Sequence, residues 1–164
     1  MKEIFERRSV RKFAAREVEA EKLEAVLRAG MAAPSAGNQR PWEFYIVRDR
    51  EKLEALSQIS RYAGPVAAAP LAIVAVCDPA GKRFAEVAPT DMAICTEHLW
   101  LGAVSEGLGA VWIGVYPFED RVKLANQILG IPAGQFVFSV LPLGYPAEEK
   151  APEDRFDPAR IHEV

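Results

Sequence analysis

The sequence predicts one domain of mixed architecture, α+β or α/β, with about four strands and five helices. Three observations lead there. Apolar runs of strand character alternate along the chain with segments of helical period, and no internal repeat, low-complexity tract or interdomain linker breaks the alternation. The 164 residues suit a single core. At this size folding removes roughly 70% of the unfolded chain's surface from water, so neither disulfides nor a structural metal are needed. The composition, 50% hydrophobic and 26% charged, is that of a globular chain and excludes extensive disorder.

Each element has a local reason. Leu23, Val26, Leu27 and Met31 fall at helical spacing after an acidic first turn, which predicts a helix over 19–31. The loop 33–41 (APSAGNQRP) follows, and the aromatic and β-branched run 42–47 (WEFYIV) reads as a strand. Leu53, Leu56 and Ile59 mark a helix after Arg50. Residues 71–77 (LAIVAVC) form a continuous apolar strand of the kind buried on both faces, turned by Asp78, Pro79 and Gly81. The segment 90–106 has no proline and is apolar around most of its circumference, which predicts a helix sunk in the core or in a subunit interface. Gly107 and Gly109 close it, 110–115 (AVWIGV) is a third strand, and 119–129 is a helix ending at Gly130. A fourth strand spans 135–141. The tail 144–164, with Pro146, Pro152 and Pro158, reads as an extended arm on the single domain 1–164, of the sort that embraces a partner subunit.

Charge narrows the partners. The net charge is −3, which gives no overall reason to expect nucleic acid or an anionic membrane. The first sixteen residues nonetheless hold six basic and two acidic side chains, so an anion is the natural partner of that segment. The chain opens MKEIFERR without an apolar signal core, and Cys77 and Cys95 sit in apolar stretches, so a reducing cytoplasm is expected. The most apolar run, 66–77, is 12 residues with Pro70 inside it, too short to span a bilayer.

Most catalytic motifs are missing. Gly107 and Gly109, followed by Gly114, have a helix before them and a strand after, the reverse of the strand–glycine–helix order that a dinucleotide loop requires. No GxxxxGK[ST] or GxSxG occurs. Cys95 and His98 share a helix face, yet only Cys77 and His162 remain to complete a metal site, and a mid-helix cysteine has no oxyanion donors beside it. What remains is Arg7, Arg8, Ser9 and Arg11 within five residues. Guanidinium forks pair bidentately with phosphate and a serine hydroxyl adds a donor, although a solvated basic face fits the same run. A phosphorylated, flat cofactor would supply the chemistry that the side chains lack.

Four motifs then occur in order: RRSxRxF over 7–13, APSAGNxxPW over 33–42, GLGxxWIG over 107–114 and LGYP over 143–146. With the βα pattern between them they resemble the FMN-dependent nitroreductase family over essentially the whole chain. The resemblance implies an α/β/α sandwich of α+β class around a central, mainly antiparallel sheet of four to five strands. It also implies an obligate homodimer with FMN sites at the interface, and NADH or NADPH as electron donor. Residue by residue, Arg7 resembles the FMN-phosphate ligand, with Arg8 and Ser9 beside the phosphate and ribityl chain, and Arg11 the cation at the flavin N1–O2 edge. Pro34, Ser35, Ala36, Asn38 and Gln39 resemble the loop laid along the cofactor by the second subunit. Ile113 and Gly114 resemble the strand end facing flavin N5 and O4. Arg155 matches a late basic residue that returns to the phosphate, with Lys150 as its substitute. Arg40 stands where the family often has glutamine, and the short connection 77–90 predicts an open pocket. Trp42, Trp112 and Phe13 read equally as core aromatics or flavin neighbours. The function implied is ping-pong reduction of nitroaromatic, quinone or similar small electron-poor acceptors, with no metal, nucleic acid or membrane involved. The alternatives are a dehalogenating or flavin-fragmenting reaction on the same fold, or a non-catalytic module with a basic N-terminus.

Overall fold

A strand with no polar position has to be covered on both faces, and the segment Leu71–Cys77 is, every residue of it being buried. The computed structural model describes residues 2–164. Along the chain come α1 (Lys2–Glu6), α2 (Ala20–Met31), β1 (Trp42–Val47), α3 (Arg50–Ser57), α4 (Pro65–Ala68), β2 (Leu71–Cys77), α5 (Ala88–Ser105), β3 (Gly109–Ala110), β4 (Ile113–Gly114), α6 (Glu119–Leu129) and β5 (Phe136–Gly144). The sheet has five strands in the order β1-β2-β5-β3, with β4 also on β5, and every pairing is antiparallel. The open choice between α+β and α/β therefore resolves to α+β.

Alternation along β2 sorts the layers. Ala72, Val74 and Val76 meet Leu53 and Leu56 of α3, Val66 of α4 and Ala125 of α6. Leu71 and Ile73 point the other way, to Leu23 and Val26 of α2 and Leu99 and Ala103 of α5. Ala75 and Cys77 meet Met92 and Cys95 on the same side. Each buried Val or Leu adds about 1.5–3 kcal/mol of hydrophobic stabilisation. The helices α2 and α5 touch closely: a Cβ at Gly30 would lie 2.5 Å from Leu99, and one at Gly102 would lie 2.8 Å from Ala29. One further polar link crosses the core, between Thr96 of α5 and Ser139 of β5 at 3.0 Å.

The expected strand over 110–115 is instead two short strands, and the reason lies on β5. Val115 N–H donates to Phe138 O at 3.2 Å, which sets the phase of the ladder, so residues 138, 140 and 142 turn their polar groups to this edge. The shared register puts Val111 opposite Pro142, which has no N–H to give. Pairing lapses there and resumes at Ile113. The helix expected from 90 starts at Ala88, since Pro89 falls in the first turn where a missing N–H costs nothing. Among the described residues no helix is long and apolar enough to cross a membrane.

Candidate functional site

The basic segment after α1 lies along the edge of the sheet. Val10 N–H donates to Ala110 O at 2.9 Å and Ser9 bridges Ala110 of β3. The returning tail flanks it: Ala147 N–H donates to Lys12 O, and Ala14 N–H donates to Tyr145 O. Side chains follow this backbone frame. The Arg7 guanidinium is mostly buried, 4.2 Å over the Trp100 ring and 3.8 Å from the Glu97 carboxylate. Burial pushes the Glu97 carboxyl above its ordinary range, an effect that Arg7 opposes. Arg8 donates through Nε to Ala151 O at 2.8 Å and through Nη1 to Arg7 O and Phe5 O, while its Nη2 is buried with no partner. Arg11 N–H donates to the Glu148 carboxylate at 2.6 Å, which holds that carboxyl below its usual range. Lys150 Nζ donates to Ser9 O at 2.5 Å.

Arg11 then reaches a cleft of about 470 Å³ whose wall is Val111, Trp112, Ile113 and Gly114. A Cβ at Gly114 would meet nothing nearer than Trp112 Nε1 at 4.0 Å, so the strand end presents bare backbone to the opening. Opposite stand Arg61, Tyr62, Gly64 and Pro65 from the turn before α4, with Arg121 of α6 alongside. Arg121 Nη1 donates to Gly114 O at 3.0 Å. Trp112 serves cleft and core at once, lying edge-on to Phe138 at 5.8 Å, whereas Trp42 belongs to the core. Phe13 bridges Pro146 and is part of the tail's seam.

The loop 33–41 is a separate construction. Asp91, buried in the first turn of α5, accepts from Ala36 N–H at 2.9 Å and from Gln39 Nε2 at 2.7 Å. Gln39 also accepts from Phe84 N–H and donates to Phe84 O, and Ser35 Oγ accepts from Arg40 N–H. These bonds hold Gly37, Asn38 and Arg40 at positive φ of 56°, 55° and 46°.

Of the residues singled out in the sequence, Arg11, Ile113 and Gly114 share the cleft, Ser9 bridges Ala110 of β3, and the Arg7 and Arg8 side chains lie outside the cleft against Trp100 and Ala151. Pro34, Ser35, Ala36, Asn38 and Gln39 do not line that cleft. Arg155 turns to Glu153 at 2.8 Å, and it is Lys150 that reaches the basic segment. Sequence reading passed over Arg61, Arg121 and Asp91. The first two look like solvated helix and turn positions, while Asp91, one of two carboxylates in the apolar run of α5, was a usable signal. The two thiols are buried in the core, which pushes both up to about 12. Among the described residues no group of three or more His, Cys, Asp and Glu could hold a metal ion.

The residues fit a flat phosphorylated cofactor on two observations: the orphaned Arg8 Nη2 inside a basic segment, and the bare strand end at Gly114. A profile described as the Nitroreductase family matches residues 4–80 and 62–145. A protein named "Putative NADH dehydrogenase/NAD(P)H nitroreductase" from Methanothermobacter thermautotrophicus is 46% identical over 156 residues, covering 95% of this chain and 82% of its own. A crystal structure described as "Putative NADH Oxidase" from Clostridium acetobutylicum superposes with a TM-score of 0.94 at 44% identity, covering 98% of this chain and 97% of that one. An FMN-dependent nitroreductase from Clostridium difficile R20291 superposes with a TM-score of 0.91 at 34% identity, covering 99% and 98% of the two chains. Sheet order, basic segment and strand-end cleft thus coincide with a match across nearly the whole length, and the chain belongs to the nitroreductase family.

Proposed function

We propose that this protein is an FMN-dependent NAD(P)H oxidoreductase that reduces nitroaromatics, quinones or similar electron-poor acceptors as a homodimer in the cytoplasm. One observation carries the reading: Arg11, from the basic segment 7–11, and the bare strand end at Ile113 and Gly114 line a single cleft. FMN, when bound, would supply the hydride-transfer chemistry between nicotinamide and acceptor. The protein's own work is binding and tuning. Arg7, Arg8 and Ser9 hold the phosphate, and Arg8 Nη2 gains the acceptor it lacks. Arg11 places a fixed cation at the N1–O2 edge, where reduction leaves negative charge. Gly114 and Ile113 let the ring approach backbone at N5 and O4. Lys150, which reaches Ser9 O, closes the phosphate side in place of Arg155.

The loop residues Pro34, Ser35, Ala36, Asn38 and Gln39 complete the site of the partner subunit, consistent with their absence from this chain's own cleft. The second subunit covers the open face of α5, where Ile94, His98 and Leu101 are only half-buried beside the exposed Ile4 and Phe5 of α1. Donor and acceptor use the cleft in turn.

The purified protein is expected to be yellow, to release FMN on heating and to sediment at the mass of two chains. Double-reciprocal plots of rate against donor and acceptor are expected to be parallel. A colourless monomer defeats the reading, and intersecting lines defeat the shared cleft.

A further inference from the structure

Three arginines line the cleft, Arg11, Arg61 and Arg121, and no carboxylate does. Among the described residues none of the three makes an ion pair. In a chain of net charge −3 this is a concentration of unneutralised positive charge at one concave surface, where low-dielectric walls focus the field. Two of the three are also held in place. The Arg121 guanidinium lies 3.9 Å over the Phe118 ring while Nη1 donates to Gly114 O. Arg61 lies 4.6 Å over the Tyr62 ring and donates to the Tyr62 hydroxyl. A guanidinium already fixed against an aromatic face loses little rotamer entropy on meeting a ligand, and its planar fork matches a carboxylate or sulfonate. Tyr62 and Trp112, both lining the cleft, offer flat apolar surface beside that charge.

The cofactor edge needs one cation, which Arg11 supplies in the function proposed above, and Arg61 and Arg121 exceed it. Resting on that site, we propose that Arg61 and Arg121 make the cleft selective for planar aromatic acceptors that carry an anionic group, a carboxylate or sulfonate, over neutral acceptors of the same shape. The phosphates of the nicotinamide donor are anionic as well. Because donor and acceptor occupy the cleft in turn, guanidiniums fixed there act on both.

The test uses ligands that are not reduced. Benzoate, benzamide and ADP are titrated into the FMN-loaded protein and binding is read from the flavin absorbance, at low salt and again at about 0.5 M salt, where the screening length falls to a few ångströms. Benzoate is expected to bind about tenfold more tightly than benzamide at low salt, and the ratio to shrink at high salt. Arg61→Gln and Arg121→Gln should each cost severalfold in benzoate affinity and leave benzamide unchanged, with Arg121→Lys recovering most of the loss. Equal binding of benzoate and benzamide overturns the proposal. So does discrimination that survives in the double variant R61Q/R121Q, or variants that weaken ADP alone, which would assign the two arginines to the donor. A protein that takes up no FMN instead defeats the proposed function. The selectivity of the cleft is then read from calorimetric titration of benzoate against benzamide into the apoprotein, and equal binding overturns it.

Discussion

The loop 33–41 and the arm 147–164 both lie outside the sheet and both are rich in proline and polar residues, yet they are held in opposite ways. The loop is over-determined. A buried carboxylate from α5, the Gln39 amide and the Ser35 hydroxyl supply partners that keep three residues at positive φ. Among the described residues the arm is attached only near its start, by Ala147 to Lys12, Glu148 to Arg11, Lys150 to Ser9 and Ala151 to Arg8. Beyond Ala151 every described hydrogen bond joins residues within three positions of each other, and Phe156 and Ile161 are exposed. Composition did not separate the two segments. What separates them is whether another element brings a buried acceptor to meet the backbone.

Removing that acceptor is the strongest way to break the contrast. Asp91→Ala leaves Ala36 N–H and Gln39 Nε2 without partners, and is expected to lower unfolding free energy by about 2–4 kcal/mol in urea titrations and to weaken FMN binding with it. Asp91→Asn keeps the shape but sets one amide against the other, so a smaller loss is expected. The pair D91N/Q39E restores a donor facing an acceptor and should recover part of it. Wild-type unfolding of D91A would show that the loop is not held from α5.

At the other anchoring point, Arg7→Ala should weaken FMN binding roughly 10- to 150-fold, the range expected for a charge-assisted hydrogen bond of about 1.5–3 kcal/mol. Lys12→Ala, which removes the same charge from an exposed side chain, should change it less than about threefold. Fluorescence titration of apoprotein separates the two, and equal losses that vanish in salt would reduce the segment to a diffuse basic field.

Gly37→Ala tests the loop's geometry. A Cβ there meets the Phe84 ring at 2.9 Å and forces an L-residue into the left-handed region, an expected cost of about 1–2 kcal/mol by thermal melting. No change would mean the turn adapts.

The root of the arm carries a pH signature. Glu19, whose carboxylate accepts from the Tyr145 hydroxyl at 2.6 Å and from Arg16, is lowered from 4.5 to about 2. Because the folded value is the depressed one, its contribution is complete above about pH 4.5 and is lost as pH falls toward 2. Glu19→Gln should therefore flatten the decline in stability across that window, measured as urea midpoints at successive pH values. An unchanged acid limb would remove Glu19 from the account.

The smallest effect belongs to the arm itself. Among the described residues Arg155 pairs only with nearby Glu153 at an exposed position, so Arg155→Ala should leave the melting temperature of the apoprotein unchanged. A clear drop would show that the arm is docked after all.

Local pattern was enough for much of this molecule. The strands 42–47 and 71–77 and the helix 119–129 appear at the bounds their residues suggest, because an apolar run or amphipathic period closed by turn residues satisfies its backbone within the segment. The basic segment 7–11 and the strand end 113–114 were readable for a related reason: their chemistry is written in adjacent residues. Only tertiary structure decided the rest. The break at Val111 is caused by Pro142, thirty-one positions away, because a ladder needs a donor from whichever strand lies opposite. Asp91 organises a loop more than fifty residues earlier, since a buried amide requires an acceptor and α5 brings one there. Arg61 and Arg121, indistinguishable in sequence from solvated surface, become one wall of a charged cleft when the turn before α4 and the first turns of α6 pack beside β4. Periodicity records what a segment buries, and the partner that meets a buried or concave polar group is set by which segments the fold brings together.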